Sequence, residues 1–534
     1  MSKIRIAPAL AVVVLAFNPG STGSAQAPAG SFPAVTEELI AEKDAAAPED
    51  DNEDMVSADG RHVAWRTGRE KKWGVMLDGQ RQAGEFEEVK SLAFSGGGQH
   101  LAFAARRGKA WMMVLDGKEP GQTFEKLSEP LFSPDGTRLA YFGKRQGKWT
   151  ILLNGESLGP LLDDFDDAMF SPDGQRLAFV GRRRGKLIVT VDLKEGPPFD
   201  VIGGLSFSDD GRHVSYAGAD IKTGFGGDKG LGRAVIDGEP GPQFEGEKSS
   251  SMLKAMATGP TILVPGYFGD LSWRVHGVSA PVFSAGGSRV AYVAHRDKDN
   301  EVVIADGQPG PQFAAIVTAP RFSPDAKRIA YAARRAKDDE VVIVDGQPGP
   351  RFPSIVAGPQ LCNEGRHVAY IVSDTGGKFL VVDGERVGAA MLSGADFTSD
   401  LTFAPDGRRV GYVATAGSYW AAWSRNMATG VNSSTKAVGR GAKRRVYVEG
   451  QPGPEYDTQG VSGLRFTPDS RHFVYVVHGL QEGSRKVSFV VTNRTEAKRY
   501  DAVWTRTLGV QDTGAVVYVA QSGRKFLRVT HPIR

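Results

Sequence analysis

Several groups of residues have the type and spacing to do chemistry. Arg182, Arg183 and Arg184, with Lys186 behind them, form a dense cationic run, which suits an anionic partner. Asp163, Asp164, Asp166 and Asp167 put four carboxylates into five residues. Such a run could hold Ca²⁺, but it lacks the ligand spacing and the glycine of a known calcium loop. His62, His213, His367 and His472 each follow an arginine, and His100 occupies the same place relative to its neighbours. Equivalent places in a repeat argue for packing at the start of a strand rather than for a metal cluster. Tyr419, Trp420 and Trp423 lie close together in a Gly- and Ser-rich stretch, where large aromatics serve as anchors for a partner. Cys362 is the sole cysteine, so no internal disulfide can form, and it reads as a small turn residue.

Catalytic signatures do not follow from these groups. The sequence has no G-x-S-x-G elbow, the mark of an α/β-hydrolase nucleophile. It has no H-E-x-x-H, and Gly181–Lys186 (GRRRGK) has the wrong spacing for a phosphate-binding loop. No catalytic residue, metal ligand or cofactor is expected. The expected binding residues are Tyr419, Trp420, Trp423, Arg182, Arg183 and Arg184.

The elements that must position these residues are set by a repeat. FSPDGQRLAF runs from Phe170 to Phe179, and FSPDGTRLAY (from Phe132), FSPDAKRIAY (from Phe322) and FAPDGRRVGY (from Phe403) match it closely. Looser copies start at Val56, Phe94, Phe207, Phe283, Leu361 and Phe466, with a last shadow at Gly509, at a period near 38 residues. A fixed period of this size means stacked supersecondary units. Ser171-Pro172-Asp173-Gly174 is a type I turn signal between apolar, β-forming flanks. A further strand follows in each unit and in most ends in Asp-Gly or Asn-Gly, as in Val302–Gly307, a strong hairpin dipeptide. Segments such as Gln308–Phe313 (QPGPQF) then supply a fourth, outer strand. Four short antiparallel strands in about 38 residues make a propeller blade, so the fold class is all-β.

The Ser-Pro-Asp-Gly hairpin followed by Leu-Ala-Phe/Tyr resembles the WD40-like (PD40) repeat of TolB-type β-propellers. The resemblance covers about residues 50–534 and implies the propeller fold. It does not single out a function, because that family includes adaptor, sensor and enzyme-accessory roles.

About twelve units are expected, counting a degenerate sixth between about 246 and 280 that is hidden in a double-length step. One compact ring commonly holds four to eight blades. Two six-bladed rings, at 55–280 and 281–534, are therefore the first expectation, seven plus five the next, and one open or very large ring the third. Residues 1–25 read as a secretory signal: Lys3 and Arg5 precede an apolar core from Ala7 to Phe17, and small residues lie at Gly23-Ser24-Ala25. That core is too short to span a bilayer, so the mature chain is expected to be periplasmic or secreted. Residues 26–54 form an acidic leader, in which residues 31–36 are expected to close the first ring at the outer edge of the sixth blade; pairing with the twelfth blade would instead support one ring of twelve. Without Lys3 and Arg5 the net charge of +3 falls to +1, which points to no particular partner.

Two units carry insertions between their second and third strands, Gly218–Gly232 and Ala416–Ala442. In units one to four the loops at this place carry +13, the outer-to-inner connections on the same face carry −8, and the face nets +5. Export and the lack of interleaved aromatics argue against nucleic acid. The function expected is that of an exported, non-catalytic scaffold that binds a protein or envelope component. The alternative is a lyase or hydrolase with its site at a central channel.

Overall fold

The computed structural model describes residues 35–43, 54–246 and 274–533, apart from residues 71, 83, 120, 223–228, 276, 298–299, 389, 392–394, 398–400, 417–418, 426–431, 439–442, 459 and 512–513. Its described residues form eleven blade sheets, one two-stranded hairpin and a single turn of 3-10 helix. Blade 4 shows the pattern: Asp164–Phe170 pairs with Leu177–Arg183, that strand with Lys186–Val191, and that with Lys194–Phe199. The motif turn closes as its residues dictate, Gly174 N–H donating to the Ser171 carbonyl at 2.8 Å. The second hairpin turns at Asp-Gly pairs with both residues at positive φ, as at Asp306 (51°) and Gly307 (77°). This is the type I′ geometry that fits the twist of the flanking strands.

Each blade packs on the next through one apolar cluster. Ala217 and Ala219 of blade 5 meet Val278 and Tyr292 of blade 6. Val63 and Trp65 of blade 1 meet Val519 and Phe526 of blade 11. The series therefore closes on itself as one ring of eleven blades, in place of the two six-bladed rings expected. The expected sixth unit is not a separate blade among the described residues. Arg274–Val275 pairs with Val278–Ser279 inside the next sheet, and 247–273 lie outside the described residues.

The repeat aromatics are buried between blades as their recurrence predicts: Phe103, Tyr141, Phe179, Tyr216, Tyr292, Tyr331, Tyr370, Tyr412 and Tyr475 are all at most 6% exposed. Several meet, edge to face, an aromatic from the outer end of the preceding blade, as in Phe124–Tyr141, Phe199–Tyr216 and Phe352–Tyr370. Such pairs add about 0.5–1.5 kcal/mol beyond the area they bury.

Ring closure differs from the expectation in both strand and partner. Thr36–Glu42 pairs with Lys525–Pro532 and supplies the outer strand of blade 11; blade 5 does not receive it, and residues 31–34 lie outside the described residues. The physical reason is connectivity. In blades such as 3, 4 and 7 the outer strand leads directly into the inner strand of the next, and Thr36–Glu42 precedes Met55–Val56 of blade 1 in the same order.

Candidate functional site

In four-stranded antiparallel blades the loops between strands two and three share one face with the outer-to-inner connections. The turns between strands one and two, and between three and four, share the other.

On the loop face the charged residues of blades 1–4 join by contact. Arg182 and Arg183 end the second strand of blade 4, and Arg184 sits in the turn at φ 53°. Arg183 pairs with Glu195 at 2.5 Å. Arg182 donates from Nη1 to the Gly185 carbonyl. Arg184 N–H donates to Asp163, whose other oxygen accepts from Lys148 Nζ of blade 3 at 2.5 Å. These two donors, Lys148 first, hold the Asp163 carboxyl below its ordinary value. Lys186 lies 2.8 Å from Asp200 and 3.0 Å from Asp220, and the bond it donates to Asp200 leads in raising its pKa. Burial alone would raise Glu88, but hydrogen bonds from Lys90 and Arg106 outweigh it and leave its pKa lowered. Part of the opposed charge counted in the sequence thus meets as bridges, and the Lys148–Asp163 and Lys186–Asp220 pairs join successive blades. Exposed bridges of this kind are each worth about 0–1 kcal/mol.

The carboxylate run divides. Asp163 serves the bridge just described, and Asp164, Asp166 and Asp167 lie on the inner strand of blade 4. Burial raises the Asp167 pKa, against a backbone bond from Ala168. Among the described residues no three His, Cys, Asp or Glu side chains are grouped to hold one metal ion.

Sequence reasoning missed an aromatic row on this face. Trp73, Trp111 and Trp149 stand at or near the start of the third strand in blades 1–3, each under a cation from the second strand: Arg66 at 5.2 Å, Arg106 at 5.7 Å and Lys144 at 5.6 Å from the ring centre. Lys90 adds a second cation over Trp111 at 5.2 Å. The recurrence of Trp at one place in three consecutive units was the available signal. These rings pack into the apolar clusters between blades, Trp149 buried there, and do not form the row of free ring faces that a single-strand groove uses.

The two insertions form β-hairpins. In blade 5 the second and third strands pair as far as Lys222 with Lys229. In blade 9 Tyr419–Arg425 pairs with Asn432–Val438 in a two-stranded sheet that joins no blade strand among the described residues. Trp420 lies opposite Ala437 and Trp423 opposite Ser434; the side chains of Tyr419, Trp420 and Trp423 lie outside the described residues.

The histidine set proves to be a clamp. His62, His100, His213 and His367 each place Nδ1 2.6–2.7 Å from the Asp of their own blade's second hairpin turn, Asp78, Asp116, Asp237 and Asp383. Arginines fill the same slot elsewhere, as in Arg176–Asp192 and Arg328–Asp345, both 2.8 Å. In the tenth blade His472 meets Asn493 instead. Cys362 is buried and acts as the motif serine, its Sγ accepting the His367 N–H at 3.2 Å.

One further polar cluster lies at the inner strands. Ser462 Oγ and Thr505 Oγ1 are 2.8 and 2.9 Å from His478 Nε2 and 3.0 Å from each other. Burial, then the charge of Arg444, lowers the His478 pKa, so the ring favours its neutral form.

Among the described residues no helix is long and apolar enough to cross a membrane. No family model matches the chain, and no curated protein matches it. Solved structures do. An acylaminoacyl peptidase from Pyrococcus horikoshii is 15% identical over 68% of this chain and 59% of its own, with a TM-score of 0.27. An oligogalacturonate lyase in complex with manganese is 15% identical over 61% of this chain and 94% of its own, at 0.28. The β-propeller domain of the Trilobed protease from Pyrococcus furiosus is 11% identical over 56% and 93%, at 0.24. The chain thus spans only 59% of the peptidase's length. Likeness at this level carries no argument about chemistry; the propeller stands on the sheet order itself.

Proposed function

We propose that the protein is an exported, non-catalytic β-propeller scaffold, TolB-like in role, that binds a protein or cell-envelope component through its loop face. The signal-like residues 1–25 support export to the periplasm or beyond. The observation that carries the binding role is the hairpin Tyr419–Val438, a separate sheet attached to blade 9 and paired with no blade strand among the described residues. An insertion that adds nothing to a blade sheet is free to serve recognition, and long loops on rigid scaffolds commonly do. Arg182 and Arg184 at the rim of blade 4 offer charge on the same face. The test is capture from an envelope fraction with the mature chain and with a variant lacking residues 418–440. The expected result is an unchanged thermal midpoint and loss of the captured component. A variant that unfolds, or that captures as well as the parent, removes the hairpin from the binding role.

A second reading, hydrolase or lyase chemistry at the channel, has the Ser462–His478 contact in its favour. A serine there that reacts with a fluorophosphonate probe, and no longer does so in Ser462→Ala, would support it.

A further inference from the structure

On the turn face, between blades 2 and 3, lies a cleft of about 430 Å³. Its walls include Met113, Leu115, Phe132, Leu139 and Tyr141, and its polar lining includes Arg138, Lys118 and Asn154. A cleft of this size, mostly apolar with a few polar groups, is of the kind that takes a small molecule.

The repeat itself shows what the cleft lacks. Five blades place arginine in the clamp slot, and four of these arginines have a carboxylate from the second hairpin turn: Arg176–Asp192 at 2.8 Å, Arg289–Asp306 at 2.9 Å, Arg328–Asp345 at 2.8 Å and Arg409–Glu449 at 3.6 Å. Blade 3 has Asn154 instead. Its Oδ1 keeps the backbone bond, accepting the Leu139 N–H at 2.9 Å, but it brings no charge. Arg138 is left over the Phe170 ring at 5.1 Å, with Nη2 buried and without a hydrogen-bond partner. In the other four arginine blades the clamp carboxylate lies nearest Nε, and among the described residues no carboxylate forms an ion pair with Arg138.

The acids of the cleft are already engaged. Asp116 is held by His100 at 2.7 Å and accepts the Leu101 N–H. Glu119 takes both terminal nitrogens of Arg107, at 2.5 and 2.7 Å. Lys118 makes no ion pair among the described residues. The charge of Arg138 also acts on Asp135 and Asp173, but the clamp carboxylate is missing, and Lys118 adds a second cation beside the apolar wall.

We propose that this cleft binds a small organic carboxylate, which lies against Arg138 and the Asn154 side-chain amide and brings the negative charge that Asp or Glu supplies in the other four arginine blades. Guanidinium and carboxylate match in planar, two-pronged geometry, and the carboxylate is the group the repeat selects at this place. The apolar wall favours an acid with a hydrocarbon or aromatic body. The site lies on the face opposite the proposed partner-binding loops and does not depend on them.

The test uses phenylacetate as probe, with phenylacetamide and inorganic phosphate as comparators, measured by ligand-observed NMR on the full mature chain. Saturable phenylacetate binding, with phenylacetamide and phosphate at least tenfold weaker, is expected. Arg138→Ala should lower affinity at least tenfold. Asn154→Asp supplies the missing carboxylate from within, keeps the repeat's own clamp, and should abolish binding in a protein at least as stable as the parent. Absence of saturable phenylacetate binding overturns the proposal. So does undiminished binding by Asn154→Asp, or equal binding of the amide. Equal binding of phosphate overturns the assignment to a carboxylate.

Discussion

Lys43 Nζ and Asp54 Oδ2 are 2.5 Å apart, with both side chains less than a tenth exposed. The pair ties the end of the closing strand to the entry of blade 1. Lys43 N–H also donates to the Arg524 carbonyl of blade 11. Removing one partner strands the other charge in a dry place, a change that costs about 3–5 kcal/mol. Lys43→Ala and Asp54→Ala are each expected to lower unfolding stability by that order in urea titrations. Lys43→Met combined with Asp54→Leu should regain most of the loss. Single variants as stable as the parent would show that closure does not depend on the pair.

A second contact makes closure sensitive to acid. Glu37 on the closing strand accepts from Lys498 Nζ at 2.7 Å and from the Tyr500 hydroxyl at 2.5 Å. Burial pushes its carboxyl pKa up, but the bonds from Lys498 and Tyr500 outweigh that, and the net direction is down. A carboxyl with a lowered folded-state pKa contributes stability above the unfolded value of about 4.3 and loses it as pH falls through the folded value. Amide exchange across residues 36–42 should therefore speed up more than in the blade cores below about pH 4. Glu37→Gln should flatten that dependence, and a profile unchanged by the substitution would discard the link.

The repeat aromatics give the strongest test of the ring. Phe179 is 1% exposed and meets Phe142 of blade 3 edge to face, with ring centres 5.8 Å apart. Phe179→Ala should cost about 3–5 kcal/mol. Phe179→Leu should cost markedly less, because it keeps most of the buried area. A loss under about 1 kcal/mol for the alanine variant would mean that the blades do not pack through this position.

The sequence made the blade legible because its signals are local: Ser-Pro-Asp-Gly and Asp-Gly turns fix two hairpins per unit. It did not make the ring size legible. Blade number depends on the angle at which interfaces such as Ala217–Tyr292 meet, and no local motif encodes that angle. The closing strand was misplaced because Phe32-Pro33 resembles an outer strand in composition, whereas Thr36–Glu42 supplies the apolar Ile40 and Ala41 that the last interface buries. Of the candidate site, the charge pattern was readable but its pairing was not. Lys148 and Asp163 are close in sequence yet belong to successive blades. The clamp could have been read, since His62–Asp78, His100–Asp116 and His367–Asp383 share a spacing of 16 residues.

That clamp separates charge from hydrogen bonding in a single residue. Asp192 Oδ2 accepts from Arg176 Nε at 2.8 Å, while Oδ1 accepts the Leu177 N–H at 3.0 Å. The ion pair is about a third exposed on each side, and such pairs contribute about 0–1 kcal/mol. Leu177 is buried, so losing its acceptor carries the larger cost of an unsatisfied amide, about 1–3 kcal/mol. Asp192→Asn keeps the amide's acceptor and should cost under about 1 kcal/mol. Asp192→Ala removes both contacts and the positive-φ preference of the turn, and should cost about 2 kcal/mol or more. Blade 3 already carries the first of these states, with Asn154 accepting the Leu139 N–H. Equal losses for the two variants would mean that the charge, and not the backbone bond, ties the two turns together.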